Sequence, residues 1–339
     1  MPLPGKTGIL IVNLGTPDSP ERKDVYTYLK QFLTDYRVID IPWLQRNLLV
    51  RGIIAPFRSG SSAKLYKKLW LPAGSPLKIY GMSLSAKVQQ ILGNEFVVRL
   101  AMRYQNPSIE KALMELRAEH VSKIVIFPLF PQYASASTGS FFEEVMRILS
   151  KWQAIPALQF VQSYHDHPEM IDAYVENARK YDLADYDHIL FSFHGIPQRQ
   201  MIKADDCNHC LQTADCCQTI TVKNQFCYSA QSHSTAFALA EKLGIPKNKY
   251  TISFQSRLGR DPWMQPYTVD VIKDLAKVGV KKVLVFCPAF TSDCLETTIE
   301  IEDEYRNEFI SLGGEKMDLV ESLNDSDNWA NIVAKMLQS

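Results

Sequence analysis

Apolar residues fall in short unbroken blocks along this chain, and the blocks end at glycine or proline. The first is Gly8-Ile-Leu-Ile-Val-Asn13-Leu-Gly15-Thr-Pro17. A continuous apolar run of that length predicts a strand covered on both faces, as in a parallel sheet. Residues 18–33 change period: an acidic start precedes Val25, Tyr28, Leu29 and Phe32 on one stripe, which predicts a helix. Further strands are expected at 96–102, 123–128 and 157–164, with a short apolar run at 38–42. Helices are expected at 109–119, opened by Asn106-Pro107-Ser108, and at 140–152 and 168–181.

The pattern then repeats. Residues 189–197 resemble 9–17, with Gly195 and Pro197 falling where Gly15 and Pro17 stand. Lys282-Val-Leu-Val-Phe-Cys-Pro288 echoes Lys123-Ile-Val-Ile-Phe-Pro128 in the same order. The expected fold class is α/β, with two similar doubly wound, Rossmann-like parallel-sheet halves and a cleft between them. The expected boundaries are 1–154 for the first half and 155–323 for the second. A last helix at 324–339 is expected to pack back on the first half.

Composition narrows the functional classes. The 339 residues hold 37 basic and 37 acidic side chains, so net charge gives no support to a nucleic-acid partner. No window approaches the roughly 18 apolar residues that a membrane span needs. Met1-Pro-Leu-Pro-Gly-Lys lacks the apolar run of a secretory signal, and the expected location is the cytoplasm. Five of the seven cysteines lie between Cys207 and Cys227. In a cytoplasmic chain such a group points to metal binding more than to disulfides.

Three stretches invite chemistry. Ile189-Leu-Phe-Ser-Phe-His194-Gly-Ile-Pro197 puts an imidazole where a strand stops, the place where ligands are held in α/β sheets. The bland alternative is a hydrogen-bonded loop histidine. After the strand at 282–287, Ser292 is a helix N-cap candidate, and Asp293, Glu296, Glu300 and Asp303 would line one helical face. That row is either a solvated acidic face or a route for a cation or proton. Residues 42–58 interleave bulky apolar side chains with Arg46, Arg51 and Arg58, and Ser59-Gly-Ser-Ser reads as a flexible joint. They suggest either a core helix with snorkelling cations or a lip that meets a flat apolar ligand or a membrane surface.

Taken in order, Asn13-Leu-Gly-Thr-Pro, Arg103-Tyr104-Gln-Asn-Pro, Pro131-Gln-Tyr133, Ser192-Phe-His194-Gly-Ile-Pro197, Phe254-Gln-Ser-Arg257, Pro262-Trp263 and Thr291-Ser-Asp293-Cys-Leu-Glu296-Thr resemble the ferrochelatases. The resemblance implies insertion of ferrous iron into a porphyrin late in haem synthesis. It implies His194 as acceptor of the pyrrole protons, and Glu296 as metal ligand or second proton acceptor facing it. Asp293 and Glu300 would stand in the acidic row behind. Leu14, Tyr104 and Trp263 would touch the macrocycle. Charge alone nominates Arg46, Arg51 and Arg58 for its propionates.

The chain departs from the family pattern after His194. Where relatives carry Gly-Asp-x-Tyr, Ala204-Asp-Asp206 leads into a cysteine-rich insertion at 205–227. Leu14 also lacks a side chain able to reach a metal. Some bacterial ferrochelatases resemble this chain in having an internal cysteine segment that binds a [2Fe–2S] cluster. The resemblance implies such a cluster; which four of the five cysteines would ligate is open, and Cys207, Cys210, Cys216 and Cys217 are taken as the set, with Cys227 as the alternative ligand. Zinc and free thiols are the alternatives. Cys287 is expected in the core. Two other readings fit the sequence: a chelatase for another metal or tetrapyrrole, and an iron–sulfur redox or sensor protein. Porphyrin and Fe²⁺ are the expected partners. Peripheral contact with the inner membrane face is a further expectation, in a monomer or homodimer.

Overall fold

The computed structural model describes residues 5–257, 259 and 261–338. Two compact units account for the chain. The first comprises residues 1–130, 135–163 and 324–339, and the second 131–134 and 164–323.

In the first unit, β1 (Thr7–Gly15) runs into α1 (Arg22–Thr34). Then come α2 (Trp43–Leu49), a π-helical turn (Val50–Ile54), α3 (Ala55–Leu69) and α4 (Pro76–Leu92). Next in the chain are β2 (Phe96–Tyr104), α5 (Ile109–Ala118) and β3 (Lys123–Pro128). A second π-turn (Ser135–Gly139), α6 (Ser140–Leu149) and β4 (Ala157–Phe160) follow. The strands pair in the order β2-β1-β3-β4, every pair parallel. Ile9, Leu10, Ile11 and Val12 are all fully buried, as a strand covered on both faces requires.

The second unit contains α7 (Pro168–Ala178), β5 (His188–His194), α8 (Gln198–Lys203) and α9 (Tyr228–Lys242). It continues through β6 (Tyr250–Gln255), α10 (Thr268–Lys277) and β7 (Lys282–Phe286). An eleven-residue π-helix (Leu295–Tyr305), α11 (Arg306–Ser311) and β8 (Lys316–Leu319) complete it. Its order, β6-β5-β7-β8, again all parallel, repeats the first sheet strand for strand. The fold is therefore two similar α/β units, as the sequence repeats predict.

Two expectations are corrected. The strand expected at 157–164 belongs to the first sheet, because Ala157–Phe160 pairs with Lys123–Ile126. Ser59-Gly-Ser-Ser is not a joint: it lies inside α3, where Ser59 is buried and donates to the Pro56 carbonyl at 3.1 Å. Ala63, Tyr66 and Leu69 of the same helix are buried, and that burial outweighs the low helix propensity of Gly60 and its serines.

The last helix, α12 (Asp327–Gln338), groups with the first unit. Trp329, Ala330, Ile332 and Val333 are buried on one stripe. At its start Ser83 donates to Asp325 at 2.5 Å, and Lys87 pairs with Asp327 at 2.8 Å.

Candidate active site

The second unit's sheet delivers its polar residues to the carboxyl ends of three neighbouring strands. His194 is the last residue of β5 and lies opposite Gln255, the last of β6. β7, on the other side of β5, leads through Phe290 to the π-helix that carries Glu296 and Glu300. This edge is where open α/β sheets bind ligands.

His194 is half-buried. Its Nδ1 lies 2.6 Å from the carbonyl oxygen of Gly195. A carbonyl can only accept, so this contact selects the tautomer with the proton on Nδ1 and leaves the Nε2 lone pair free of it. The ring stands 6.3 Å from Phe290 and 6.5 Å from Trp263, centroid to centroid. Gly195 allows this close approach: a Cβ there would meet the Gln255 carbonyl at 3.0 Å and the Trp263 ring at 3.4 Å.

Both glutamates are held from below. Glu300 accepts from the backbone N–H of Ser256 at 2.9 Å, the Ser256 hydroxyl at 2.5 Å and the Tyr305 hydroxyl at 2.7 Å. Gln255 Nε2 adds a longer bond at 3.2 Å and donates to the Glu296 carbonyl at 2.7 Å. Gln255 is itself fixed, because Ser192 donates to its Oε1 at 2.7 Å. Burial, then the charge of Glu300, raises the Tyr305 hydroxyl, which therefore stays a donor. The buried Cys294 thiol is likewise raised, first by burial and then by the charge of Glu296 and a hydrogen bond to it.

The acidic row differs from its sequence-based form. The helix begins after Cys294, not after Ser292: Thr297 Oγ1 accepts from the Cys294 N–H at 3.0 Å, one half of a capping box. Asp293 therefore precedes the helix. The i→i+5 bonding of a π-helix widens each turn, bringing Glu296 and Glu300 into register and swinging Asp303 off their face. Asp303 accepts from Asn307 at 2.9 Å. Sequence reasoning missed Gln255, Ser256, Tyr305 and Cys294 as supports. A motif containing Phe254-Gln-Ser-Arg257 was the only signal for the first two.

The remaining candidates lie in the first unit. Arg46 is 7% exposed and donates to the carbonyls of Ile39 and Ile41 at 3.3 and 2.7 Å. Tyr104 is 2% exposed, its hydroxyl donating to Asp35 at 2.8 Å. Both side chains face the interior, so the expectation that they contact a ligand is not supported by their placement. Arg51 and Arg58 are exposed, and Leu14 is half-buried. In the same stretch of sequence as the arginines, Trp43, Leu44, Leu48, Ile53 and Phe57 are all more than half exposed.

The cysteine insertion is folded around its thiols. Asp205 accepts from the backbone N–H groups of Cys207, His209 and Cys210 at 3.0, 2.7 and 2.7 Å. Asn224, 5% exposed, donates to the Cys216 and Thr219 carbonyls at 2.9 Å each. Cys216 and Cys217 have sulfurs 3.6 Å apart. Cys227 is lowered, first by a hydrogen bond from Cys217 and further by the Ala230 and Ser229 N–H groups that open α9. Burial, and then the charges of Cys227 and Cys216, raise the Cys210 thiol, whereas Cys207 is exposed. Among the described residues no three histidine, cysteine or acidic side chains converge on a single-ion site.

The ferrochelatase family model matches residues 6–339. This chain belongs to the ferrochelatase family. A ferrochelatase of Legionella pneumophila (strain Lens) is 41% identical over 332 residues, covering 98% of each chain. One of Pseudomonas fluorescens (strain Pf0-1) is 43% identical over 335 residues, or 97% of each. One of Coxiella burnetii (strain Dugway 5J108-111) is 41% identical over 336 residues, covering 98% of this chain and 93% of the relative. Among solved structures, SirB from Bacillus subtilis with Fe3+ superposes with a TM-score of 0.54 at 12% identity, covering 98% of this chain and 94% of that one. That likeness concerns the fold alone. Family membership favours neither alternative reading, the sensor or the chelatase of another tetrapyrrole. No described helix is long and apolar enough to cross a membrane.

Proposed function

We propose that this ferrochelatase-family chain inserts Fe²⁺ into a free-base porphyrin and releases two protons, a late step of haem synthesis. The observation that carries the reading is the His194 tautomer. With Nδ1 donating to Gly195, Nε2 is an acceptor at a strand end, the form a base needs to take a pyrrole proton. The Gly195 carbonyl then also stabilises the imidazolium that results. Glu296 supplies a carboxylate for the incoming ion or the second proton. Gln255 fixes the Glu296 backbone by donating to its carbonyl, and the Cys294 thiol hydrogen-bonds to its side chain. Glu300 takes up donors from Ser256 and Tyr305 and fixes the helix turn beneath Glu296.

In the same reading, the exposed apolar side chains of 43–57 with Arg51 and Arg58 receive an apolar macrocycle or rest on an anionic membrane surface. The cysteine loop holds a [2Fe–2S] cluster through Cys210, Cys216, Cys217 and Cys227, with Cys207 outside the set. When bound, such a cluster supplies sensitivity to electron transfer and to oxidation. Anaerobic incubation with Fe²⁺ and protoporphyrin, followed by loss of free-base fluorescence, tests the activity. A protein that binds the porphyrin but never metallates it sinks the reading.

A further inference from the structure

Helix α9 begins at the last cysteine of the insertion, and its first turns reach two places at once. The backbone N–H of Gln231 donates to the Cys227 carbonyl at 3.0 Å. Its side chain, on a residue 1% exposed, donates to the Gln225 carbonyl at 2.6 Å and accepts from the Tyr133 N–H at 2.7 Å. One turn on, Thr235 accepts from Gln132 at 2.9 Å. Gln132 also reaches the carbonyl of Pro288 at 3.5 Å, two residues before the Phe290 ring that stands against His194. Gln231 and Thr235 are four apart and share a helix face. A connected series of contacts, part-buried at the loop and buried at Gln132, therefore runs from the cysteine loop to the reacting end of β5.

The chemistry of Gln231 suits a coupler. An amide both donates and accepts, so one side chain ties a carbonyl of the loop to an N–H of the 131–134 segment. Both partners are backbone groups, which cannot turn away and are costly to leave unpaired when buried. The loop end of the series is rigid because Asn224 gathers Thr221, Thr219 and Cys216.

We propose that Gln231 is a positioning residue that transmits the state of the cysteine loop to the Pro131–Ala134 segment and thence to the loop bearing Phe290. This deepens the ferrochelatase reading, and rests on it only for the activity arm of the test. Hydrogen exchange at the Tyr133 amide is the primary readout, with β5 amides as internal reference. Asn224→Ala loosens the loop without touching Gln231 and is expected to speed Tyr133 exchange roughly tenfold. Gln231→Leu is expected to speed it as much, and the double variant no further. Should Gln231→Leu fail to fold, Gln231→Asn, one methylene shorter, takes its place. In the activity arm, Asn224→Ala lowers kcat with the porphyrin KM unchanged, and has no added effect in the Gln231 background. Additive exchange effects overturn the proposal, as would survive-intact coupling in the Gln231 variants through the Phe226–Tyr133 ring contact, 6.2 Å between centroids. Absent iron insertion with coupled exchange overturns the activity reading instead.

Discussion

Ser256 donates twice to Glu300, from its backbone N–H at 2.9 Å and its hydroxyl at 2.5 Å. To do so it adopts a left-handed backbone, φ +66°, uncommon for a residue with a side chain. The counterpart in the first unit, Gln105, has φ +68°, but there the adjoining Tyr104 and Arg103 meet Ser140 and Asp35. The two units thus use one backbone device, and only the second directs it to a carboxylate below the proposed metal ligand. Ser256→Ala removes a charge-assisted hydrogen bond, a cost of about 1.5–3 kcal/mol. Iron insertion is expected to fall by roughly tenfold or more while porphyrin affinity stays within about twofold. Unchanged kcat would mean that Glu300 needs no fixing.

The roles proposed for His194 and Glu296 are tested by substitution. His194→Ala and Glu296→Gln should each abolish iron insertion, with porphyrin binding retained in both. Fluorescence titration measures the binding and anaerobic turnover the chemistry. Full turnover in either variant removes that residue from the mechanism.

Much of the fold was legible because strands buried on both faces leave unbroken apolar runs, and because the runs repeat in order. His194 stood out for the same reason, as a polar residue closing such a run. β4 was misassigned because its four residues are mostly exposed and carry no burial pattern to tie them to either sheet. The π-helix was illegible, since a 3.6-residue period and the spacing of its carboxylates fit an α-helix equally well. Arg46 shows the limit of charge logic: Leu44 and Leu48, two residues to either side, are exposed, yet its guanidinium donates to the carbonyls of Ile39 and Ile41. Gln255 was invisible as a support because its side-chain partners come from two other elements, β5 and the π-helix.

Acid should weaken the protein below neutrality. His165, His188 and His233 all have lowered pKa values, each first through burial. Asp166 opposes the shift at His165, and a hydrogen bond from His233 Nδ1 to the Ser229 carbonyl opposes it at His233. A lowered folded pKa means that the unfolded chain takes up protons first, from about pH 6.5 downward. Stability present above that value is therefore lost as pH falls through it toward the folded pKa values. The urea midpoint should be lower at pH 5.5 than at pH 7.5, and His188→Gln should lessen the difference. Equal midpoints would show that these rings titrate alike in both states.

The thiol arrangement predicts which cysteines matter. Anaerobically purified protein should show the visible absorption of a [2Fe–2S] cluster and two irons per chain, in keeping with four thiolate ligands. Cys207→Ser should keep the colour, because Cys207 is the exposed member of the five. Cys227→Ser should lose it, because Cys227 shares a hydrogen bond with Cys217 at the start of α9. The reverse outcome would restore the first four cysteines as the ligand set, and colourless protein would remove the cluster.

The apolar side chains on α2, the π-turn and α3 predict a surface effect that the sequence alone placed less sharply. Leu48, Ile53 and Phe57 are 66, 56 and 80% exposed, whereas Leu49 and Ile54 are half-buried. Water contact at such residues costs about 25 cal/mol per Å² of apolar area, recoverable when the area is covered by acyl chains. Arg51 and Arg58 would add attraction to anionic headgroups, which salt screens. Co-sedimentation with phosphatidylglycerol-containing vesicles should therefore fall at least severalfold in the Leu48→Ser, Ile53→Ser, Phe57→Ser triple variant. Binding should also weaken between low and physiological salt. If the triple variant sediments as the parent does, the exposed face serves the macrocycle and not the bilayer, and porphyrin affinity should drop in the same protein.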